Sequence, residues 1–273
     1  MLKQRIITAA IGVPLIILVI WFGDPWFSLL IAAAALGGTF EFYHLGKGEN
    51  VNRPLIYFGL LWSLAIVLSP LIPYYKAVDS LPIIMAFATV VSLFCVLCYS
   101  PREKAFHNWA WIVAGVIYVG WMLSYWLSLR VLDDRGIWVY LAMFTTFAND
   151  TGAFFVGRKW GKHRLAPAIS PGKSWEGALG GLLSAILAAV GIVAILKLNP
   201  ELDSGLPCWQ AIILGCLISL FAQAGDLVES LLKRNTGVKD SGKSLPGHGG
   251  ILDRFDSLIF VGPIVYYYIV LAL

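Results

Sequence analysis

Long apolar runs recur from one end of this chain to the other, and they restrict its fold more than any other feature. Nine runs each hold roughly the 17–25 residues that a helix needs to cross about 30 Å of hydrocarbon. The chain is 59% hydrophobic and 13% charged, whereas a soluble domain carries about 25% charged residues. We therefore predict an all-α polytopic membrane protein with about nine transmembrane helices. The predicted spans are Ile6–Phe22, Trp26–Phe42, Leu55–Ile72, Leu81–Tyr99, Trp109–Leu132, Ile137–Val156, Trp175–Leu198, Cys208–Leu232 and Ile251–Leu273.

The positions of lysine and arginine give an independent prediction of topology. With nine spans, 16 of the 20 lysines and arginines lie on the side of the N-terminus, and 4 lie on the other side. Cytoplasmic loops of membrane proteins carry an excess of these residues. We therefore predict a cytoplasmic N-terminus and a C-terminus outside.

No extended polar segment separates the apolar runs, so we predict one integral membrane domain over residues 1–273. Its N-terminal helices occupy residues 1–135, and a catalytic half, residues 136–273, carries both long polar cytoplasmic loops. The net charge of +4 is attributed to these loops near anionic lipid, so no nucleic-acid partner is expected. Cys95 and Cys98 form a CxxC motif inside an apolar run. We interpret them as helix-packing residues, because zinc and redox sites need a polar setting.

A polar stretch, Ser230–Ser257, lies between the last two predicted spans and holds most of the candidate chemistry. Charged groups beside a membrane are strongly unfavourable unless they pair or bind a ligand. Phosphate and divalent cations are the partners that suit such a mixture of cations and carboxylates. The candidate phosphate-binding residues in this stretch are Lys233, Arg234, Lys239, Lys243, His248 and Arg254.

Carboxylates occur at helical spacing just before this stretch and near its C-terminal end. Asp226 and Glu229 stand at i and i+3 at the end of one predicted span, and Asp253 and Asp256 repeat that spacing at the start of the next. Two such helix ends can hold Mg²⁺, which takes few protein carboxylates and leaves positions for water and substrate phosphate. We predict Asp226 and Asp256 as its ligands, with Asp253 and Glu229 as further candidates for this ion or a second cation. The alternative is that these acids form interfacial salt bridges.

The segment Gly237–Ser244 matches the P-loop pattern GxxxxGK(S/T). A P-loop lies between a buried strand and a helix. Here a membrane helix is predicted before the motif, and Pro246 with several glycines follows it. We therefore exclude a P-loop ATPase and keep the prediction that backbone amides of this glycine-rich loop bind phosphate.

The other long loop ends in Ser170, Lys173 and Ser174, just before the predicted span that starts at Trp175. Backbone amides at a helix start, together with a lysine and hydroxyl groups, can form a phosphate site. The preceding span contains Asn149 and Asp150. Because such residues are costly within a membrane, we interpret them as functional or as facing a polar cavity.

The residues from Ser230 to Asp256 resemble the signature of the phosphatidate cytidylyltransferases, also called CDP-diacylglycerol synthases. Asn149-Asp150 and Ser170–Gly177 are also similar to that family. The resemblance covers the C-terminal half of the chain, while the N-terminal half is similar only in being hydrophobic with several spans. The signature residues are Ser230, Lys233, Arg234, Lys239, Asp240, Pro246, Gly247, His248, Gly249, Gly250, Asp253, Arg254 and Asp256.

The resemblance implies transfer of CMP from CTP to phosphatidate, which gives CDP-diacylglycerol and diphosphate for phospholipid biosynthesis. It also implies Mg²⁺ dependence, a homodimer, and a bacterial-type cytoplasmic (inner) membrane with the active site facing the cytoplasm. Under it, Asp226 and Asp256 hold Mg²⁺, and Lys239 and Asp253 complete the catalytic set. The remaining cations, with Ser170, Lys173 and Ser174, bind the triphosphate or the lipid phosphate.

Two alternatives remain open. A CTP-dependent lipid or polyprenol kinase would transfer the γ-phosphoryl group to an alcohol and release CDP rather than diphosphate. A membrane transporter would use Asp150 and Asp226 to bind a coupling ion. The clustering of phosphate-binding residue types on one side, without a detectable inverted repeat, disfavours the transporter.

Overall fold

The structure is a computed structural model that describes residues 2–45, 52–72, 80–200, 202–242, 244 and 249–273, with side chains described from residue 12 onward. Helices make up most of these residues. Short 3-10 turns follow α3 at Ser69–Leu71 and precede α5 at Arg102–Lys104. The α-helices are α1 (Leu2–Phe22), α2 (Trp26–Leu45), α3 (Arg53–Leu68), α4 (Ser80–Tyr99), α5 (Ala105–Gly115), α6 (Met122–Val131), α7 (Ile137–Trp160), α8 (Trp175–Leu196), α9 (Cys208–Asn235) and α10 (Leu252–Ala272).

Each of the nine predicted spans falls on a helix. The π-helical segment Val116–Trp121 joins α5 and α6 into one rod, which corresponds to a single predicted span. Within the described residues, seven helices are long and apolar enough to cross a membrane; α7 is not among them, and α1 contributes the shorter apolar piece Gly12–Phe22. In α7, Asn149, Asp150 and Arg158 interrupt the apolar sequence. The helical, membrane-like architecture is confirmed, whereas nine crossings and the orientation of the termini remain predictions.

A two-stranded antiparallel hairpin interrupts the helices, and the all-α prediction missed it. Strand β1 (Arg164–Ala166) pairs with β2 (Ser170–Ser174), which leads directly into α8. Strands of three and five residues are too short to show a period-two pattern. Pro171 within β2 also lowers the strand propensity of the segment.

The two faces of α8 show why this sequence suits a membrane. Leu179, Leu183 and Leu187 lie along one face, and each exposes about 60% of its surface. Small residues at i, i+4 spacing occupy the opposite face, where they let neighbouring helices approach closely, as membrane helices commonly do. The buried residues of α8 are Gly177, Gly181, Ala185, Ala189 and Val193.

The helices of the C-terminal half pack in succession, α7 on α8, α8 on α9 and α9 on α10. Helix α10 also packs on α6 and α2, and its residues Leu252, Ile259 and Val265 are fully buried. The last helix therefore contacts both halves of the chain. Its position next to α9 matters for function, because the polar stretch of the sequence connects these two helices.

Candidate active site

A polar cavity of about 660 Å³ lies where α7 and α9 end and α8 and α10 begin. Its volume falls within the roughly 300–1,000 Å³ typical of ligand sites. Residues from the loop between α7 and α8 and from the four helices form its wall. The predicted site residues that line it are Lys173, Ser174, Asp226, Asp253, Arg254 and Asp256.

Lys173 joins the first polar loop to α9. Its Nζ lies 2.7 Å from Oδ2 of Asp226, and both side chains are partly exposed. Strand β2 carries Lys173 in an extended segment that pairs with β1 and ends at the start of α8. A predicted phosphate-binding cation is therefore in contact with a predicted metal ligand.

The backbones of α9 and α10 approach closely beside this ion pair. A β-carbon added to Gly225 would lie 2.5 Å from the carbonyl oxygen of Asp256, a distance that real side chains do not adopt. Glycine therefore permits the helices to cross at this point. The crossing brings Asp226 and Asp256, one from each helix, to the wall of one cavity.

The donor set suits Mg²⁺ better than a metal that needs a complete protein cage. Within the described part of the chain, no group of three or more His, Cys, Asp or Glu side chains is arranged to hold a metal. Mg²⁺ typically binds through one or two carboxylates and fills its other positions with water and substrate phosphates. Asp226 and Asp256 supply two carboxylates at a cavity large enough for those additional ligands.

A largely buried ion cluster adjoins the cavity through Asp253. Nζ of Lys233 lies 2.7 Å from Oδ1 of Asp253 and also forms an ion pair with Glu229, which is completely buried. The other oxygen of Asp253 accepts hydrogen bonds from the backbone N–H groups of Ser241, at 3.0 Å, and Gly250, at 2.9 Å. Both oxygens of Asp253 are thus engaged by protein groups, and Lys233 is held by carboxylates.

Side chains at the start of α8 fix the hairpin. Oγ of Ser174 accepts a hydrogen bond from the backbone N–H of Gly177 at 3.1 Å, which is the usual way a serine caps a helix N-terminus. Glu176 accepts a hydrogen bond from the backbone N–H of Lys162 at 3.1 Å, and its carboxylate lies 2.6 Å from Nδ1 of His163. The contacts of Glu176 hold the residues that precede β1 against the start of α8.

The polar pair in α7 lies at the cavity. Asn149 is buried, and its Oδ1 accepts hydrogen bonds from Ser219 Oγ at 2.7 Å and from Gln223 Nε2 at 3.3 Å. Its Nδ2 donates to Oδ1 of Asp150 at 3.0 Å. Both residues contribute to the cavity wall. Asn149 therefore ties α7 to α9, while Asp150 adds a carboxylate to the cavity.

Other predicted residues lie outside the cavity wall. Arg234 donates from Nε to the carbonyl oxygen of Ile169 at 3.4 Å and so links α9 to the hairpin. Lys239 is exposed on the loop after α9. Lys243 and His248 fall outside the described residues. The described site predictions that do not line the cavity are Ser170, Glu229, Lys233, Arg234 and Lys239.

Glu41 near the site was not among the predicted site residues, and neither were four polar residues that line the cavity, Arg158, Arg164, Gln223 and Ser257. Gln223 lines the cavity, and its spacing of three residues from Asp226 on one helical face was the available signal. Glu41 is buried in α2, and its Oε2 lies 3.0 Å from Oγ of Ser241 in the loop before α10. An acid inside an apolar span indicates a functional position by default, so the sequence did contain a signal for Glu41.

Comparison with known proteins places the whole chain in one group. The sequence matches the profile of the cytidylyltransferase family over residues 3–272. It is 35% identical over 272 residues to a phosphatidate cytidylyltransferase of Bacillus subtilis, covering 99% of this chain and 98% of that protein. Proteins of the same name from Staphylococcus haemolyticus and Synechocystis are 33% identical over 267 residues and 32% identical over 299 residues. The alignment with the Staphylococcus haemolyticus protein covers 97% of both chains. The alignment with the Synechocystis protein covers 99% of this chain and 97% of that protein. The similarity therefore includes the N-terminal half.

Proposed function

This chain belongs to the cytidylyltransferase family, and we propose that it transfers CMP from CTP to phosphatidate, giving CDP-diacylglycerol and diphosphate. The observation that carries the proposal is the cavity in which Lys173 and Arg254 accompany Asp226 and Asp256. A nucleoside triphosphate and a lipid phosphate are both anions, so a site that unites them needs fixed positive charge. Relatives named phosphatidate cytidylyltransferase match over nearly their whole length, which supports the same pair of substrates.

We assign Asp226 and Asp256 to the binding of Mg²⁺. They belong to different helices that cross at Gly225, and they leave a large cavity for phosphate and water. A divalent cation bound there would neutralise phosphate charge and stabilise diphosphate as it leaves. We assign Glu229 and Asp253 to positioning, because Lys233 pairs with both.

The roles of the cations follow from the charge of the substrates. A phosphate oxygen of phosphatidate, already ionised at neutral pH, would attack the α-phosphorus of CTP, so the reaction needs no strong general base. The barrier lies in bringing two anions together and in releasing diphosphate, and fixed cations lower both contributions. Lys173 and Arg254 line the cavity, and we assign them to the reacting phosphates. Arg234, Lys239, Lys243 and His248 remain predicted contacts for the triphosphate or the lipid phosphate.

We also propose a homodimer in the bacterial cytoplasmic membrane, with the cavity on the cytoplasmic side. The apolar helices support a multi-pass protein, and the excess of lysine and arginine on the N-terminal side supports the orientation. In a variant that lacks the four native cysteines, Lys239→Cys should react with a membrane-impermeant thiol reagent in inverted vesicles only. Labelling of this cysteine in intact spheroplasts would instead show that the loop carrying residue 239 faces outward. Chemical cross-linking of the detergent-purified protein should give a two-chain species, and exclusively single chains would reject the dimer.

The decisive experiment supplies the purified protein with phosphatidate, Mg²⁺ and CTP labelled at the α-phosphate. We expect label to enter the lipid fraction only when phosphatidate and Mg²⁺ are both present, with release of diphosphate. Lipid label from γ-labelled CTP, with release of CDP, would instead establish a lipid kinase. The absence of any chemical product from CTP, combined with solute flux in vesicles, would establish the transporter.

A further inference from the structure

Glu41 belongs to α2, in the N-terminal half, yet its carboxylate is buried against the loop that precedes α10. Only 4% of the residue is exposed. Its hydrogen-bond partners are Ser241, Ser244, Ile251 and Leu252, which all belong to the polar stretch near the C-terminus. A residue far away in sequence therefore contacts the segment that carries the proposed chemistry.

Each oxygen of this carboxylate accepts one hydrogen bond from a hydroxyl group and one from a backbone amide. Oε1 accepts hydrogen bonds from Ser244 Oγ at 2.5 Å and from the Ile251 N–H at 3.0 Å. Oε2 accepts from Ser241 Oγ at 3.0 Å and from the Leu252 N–H at 2.9 Å. Amides at the start of a helix have no partner within the helix, and the helix dipole favours a negative charge there. Glu41 therefore caps α10 from a different helix.

Glycines let the loop approach Glu41 closely. A β-carbon on Gly242 would lie 2.5 Å from Oε1 of Glu41, and one on Gly250 would collide with Oε2. The sequence predicted that glycines of this stretch bind phosphate through their amides. For Gly242 and Gly250, the close approach of a carboxylate is a separate reason why a side chain does not fit.

The same contacts continue to the cavity. Oγ of Ser241, which donates to Glu41, accepts a hydrogen bond from the Asp253 N–H at 3.3 Å, and the Ser241 N–H donates to Oδ2 of Asp253 at 3.0 Å. Asp253 lines the cavity, and Asp256 lines it three residues further along α10. Glu41 accepts hydrogen bonds from the Ile251 and Leu252 amides at the start of α10, one turn before Asp256.

We propose that Glu41 is a positioning residue of the active site, which holds the loop before α10 and the first turn of α10 so that Asp256 is correctly placed. It contacts the loop and the helix start and does not line the cavity, so it acts through other residues. This inference rests on the proposed function for its activity readout. It gives α2, a helix of the N-terminal half, a direct part in organising the site.

The hydrogen-bond pattern predicts an unusual order among substitutions. Both backbone partners can only donate, so the position requires acceptors. Glutamine keeps the length of the side chain, but its NH₂ group would leave a backbone N–H without an acceptor. Aspartate is one methylene shorter but keeps both acceptor oxygens. We expect Glu41→Asp to retain more activity than Glu41→Gln, whereas a role in packing alone would give the opposite order.

The test compares Glu41→Gln, Glu41→Asp and the control Thr39→Val with the full-length wild type in detergent. Thr39 is buried in the same helix and donates a hydrogen bond to Ser63 Oγ at 3.3 Å, away from the loop. We expect Glu41→Gln to lower kcat about tenfold or more, with a smaller change in KM. Hydrogen exchange at the Ile251 and Leu252 amides should become faster in this variant and stay unchanged in Thr39→Val.

Two results would overturn the proposal: wild-type kcat in Glu41→Gln, or more activity in Glu41→Gln than in Glu41→Asp. If Glu41→Gln does not fold, Ser241→Ala replaces it, because this change removes one donor and leaves the carboxylate in place. Wild-type kcat in Ser241→Ala would then reject the positioning role. A folded wild type that forms no CDP-diacylglycerol would reject the proposed function alone, since amide exchange would still report whether Glu41 holds the turn.

Discussion

Nζ of Lys173 lies 2.7 Å from Oδ2 of Asp226, so a lysine at the end of a β-hairpin meets an aspartate near the end of a membrane-type helix. The pair connects the loop between α7 and α8 to helix α9 at the wall of one cavity. It places positive charge beside a carboxylate that we assign to Mg²⁺. A substrate phosphate entering the cavity would find both charges within one small region, and this arrangement is the basis of the first prediction.

Replacing Lys173 with methionine should reduce kcat/KM for CTP by about a hundredfold, because it removes a cation from the cavity wall. The measurement is the initial rate of diphosphate release at a series of CTP concentrations. Lys162→Met is the matched control, since Lys162 lies on the same loop with an exposed side chain. Equal losses in the two variants would show that Lys173 acts only through general surface charge.

Asp256→Asn should lower kcat by about a hundredfold or more, because removal of one strongly interacting electrostatic group costs about 10²–10³ in rate. The protein should stay folded, since asparagine has nearly the same volume. Formation of CDP-diacylglycerol measures the loss, and thermal unfolding in detergent measures the stability. Asp134→Asn, an exposed aspartate in the connection before α7, should be fully active. An active Asp256→Asn enzyme would reject the metal assignment.

Gly225→Ala should destabilise the protein by about 1–3 kcal/mol and reduce its activity, because the new methyl group forces α9 and α10 apart. The comparison is Gly191→Ala, where an added β-carbon meets nothing within 4 Å. That change should be neutral or slightly stabilising, since alanine favours helix over glycine by about 1 kcal/mol. Thermal unfolding of both variants in one detergent makes the comparison. Equal stability would mean that the close crossing at Asp256 is not required.

Lys233→Met should destabilise the protein by about 3–5 kcal/mol, because it leaves the buried carboxylates of Glu229 and Asp253 without their cation. The midpoint of thermal unfolding provides the measurement, with exposed Lys197→Met as the control. Adding Glu229→Leu to Lys233→Met should recover part of the loss, because one unpaired buried charge is then removed. Additive losses in the double variant would contradict direct coupling between Lys233 and Glu229.

Sequence reasoning located the site-bearing segments and six site residues that line the cavity, together with Asn149 and Asp150. Helical spacing placed Asp226 and Asp256 at facing helix ends, and the residues before Trp175 indicated Lys173. It did not predict the hairpin that carries Lys173, because two short strands, one of which contains a proline, do not show the alternation of apolar and polar residues that identifies a strand. The sequence also could not distinguish the roles of Arg254 and Lys233, because both are cations in the same polar stretch. In the structure Arg254 lines the cavity, whereas Lys233 is held between carboxylates.

The sequence by itself determined the membrane-type helical architecture, the segments that form the helices and the family of the chain. Those properties depend on local features, namely the length of apolar runs, charge placement and residue spacing. Only the tertiary structure decided which charges face the cavity and which neutralise one another. Spacing along a helix fixes which side chains share a face, but what lies opposite that face comes from distant segments. Glu41 illustrates this limit, because its four partners are brought to it only by the packing of α10 against α2.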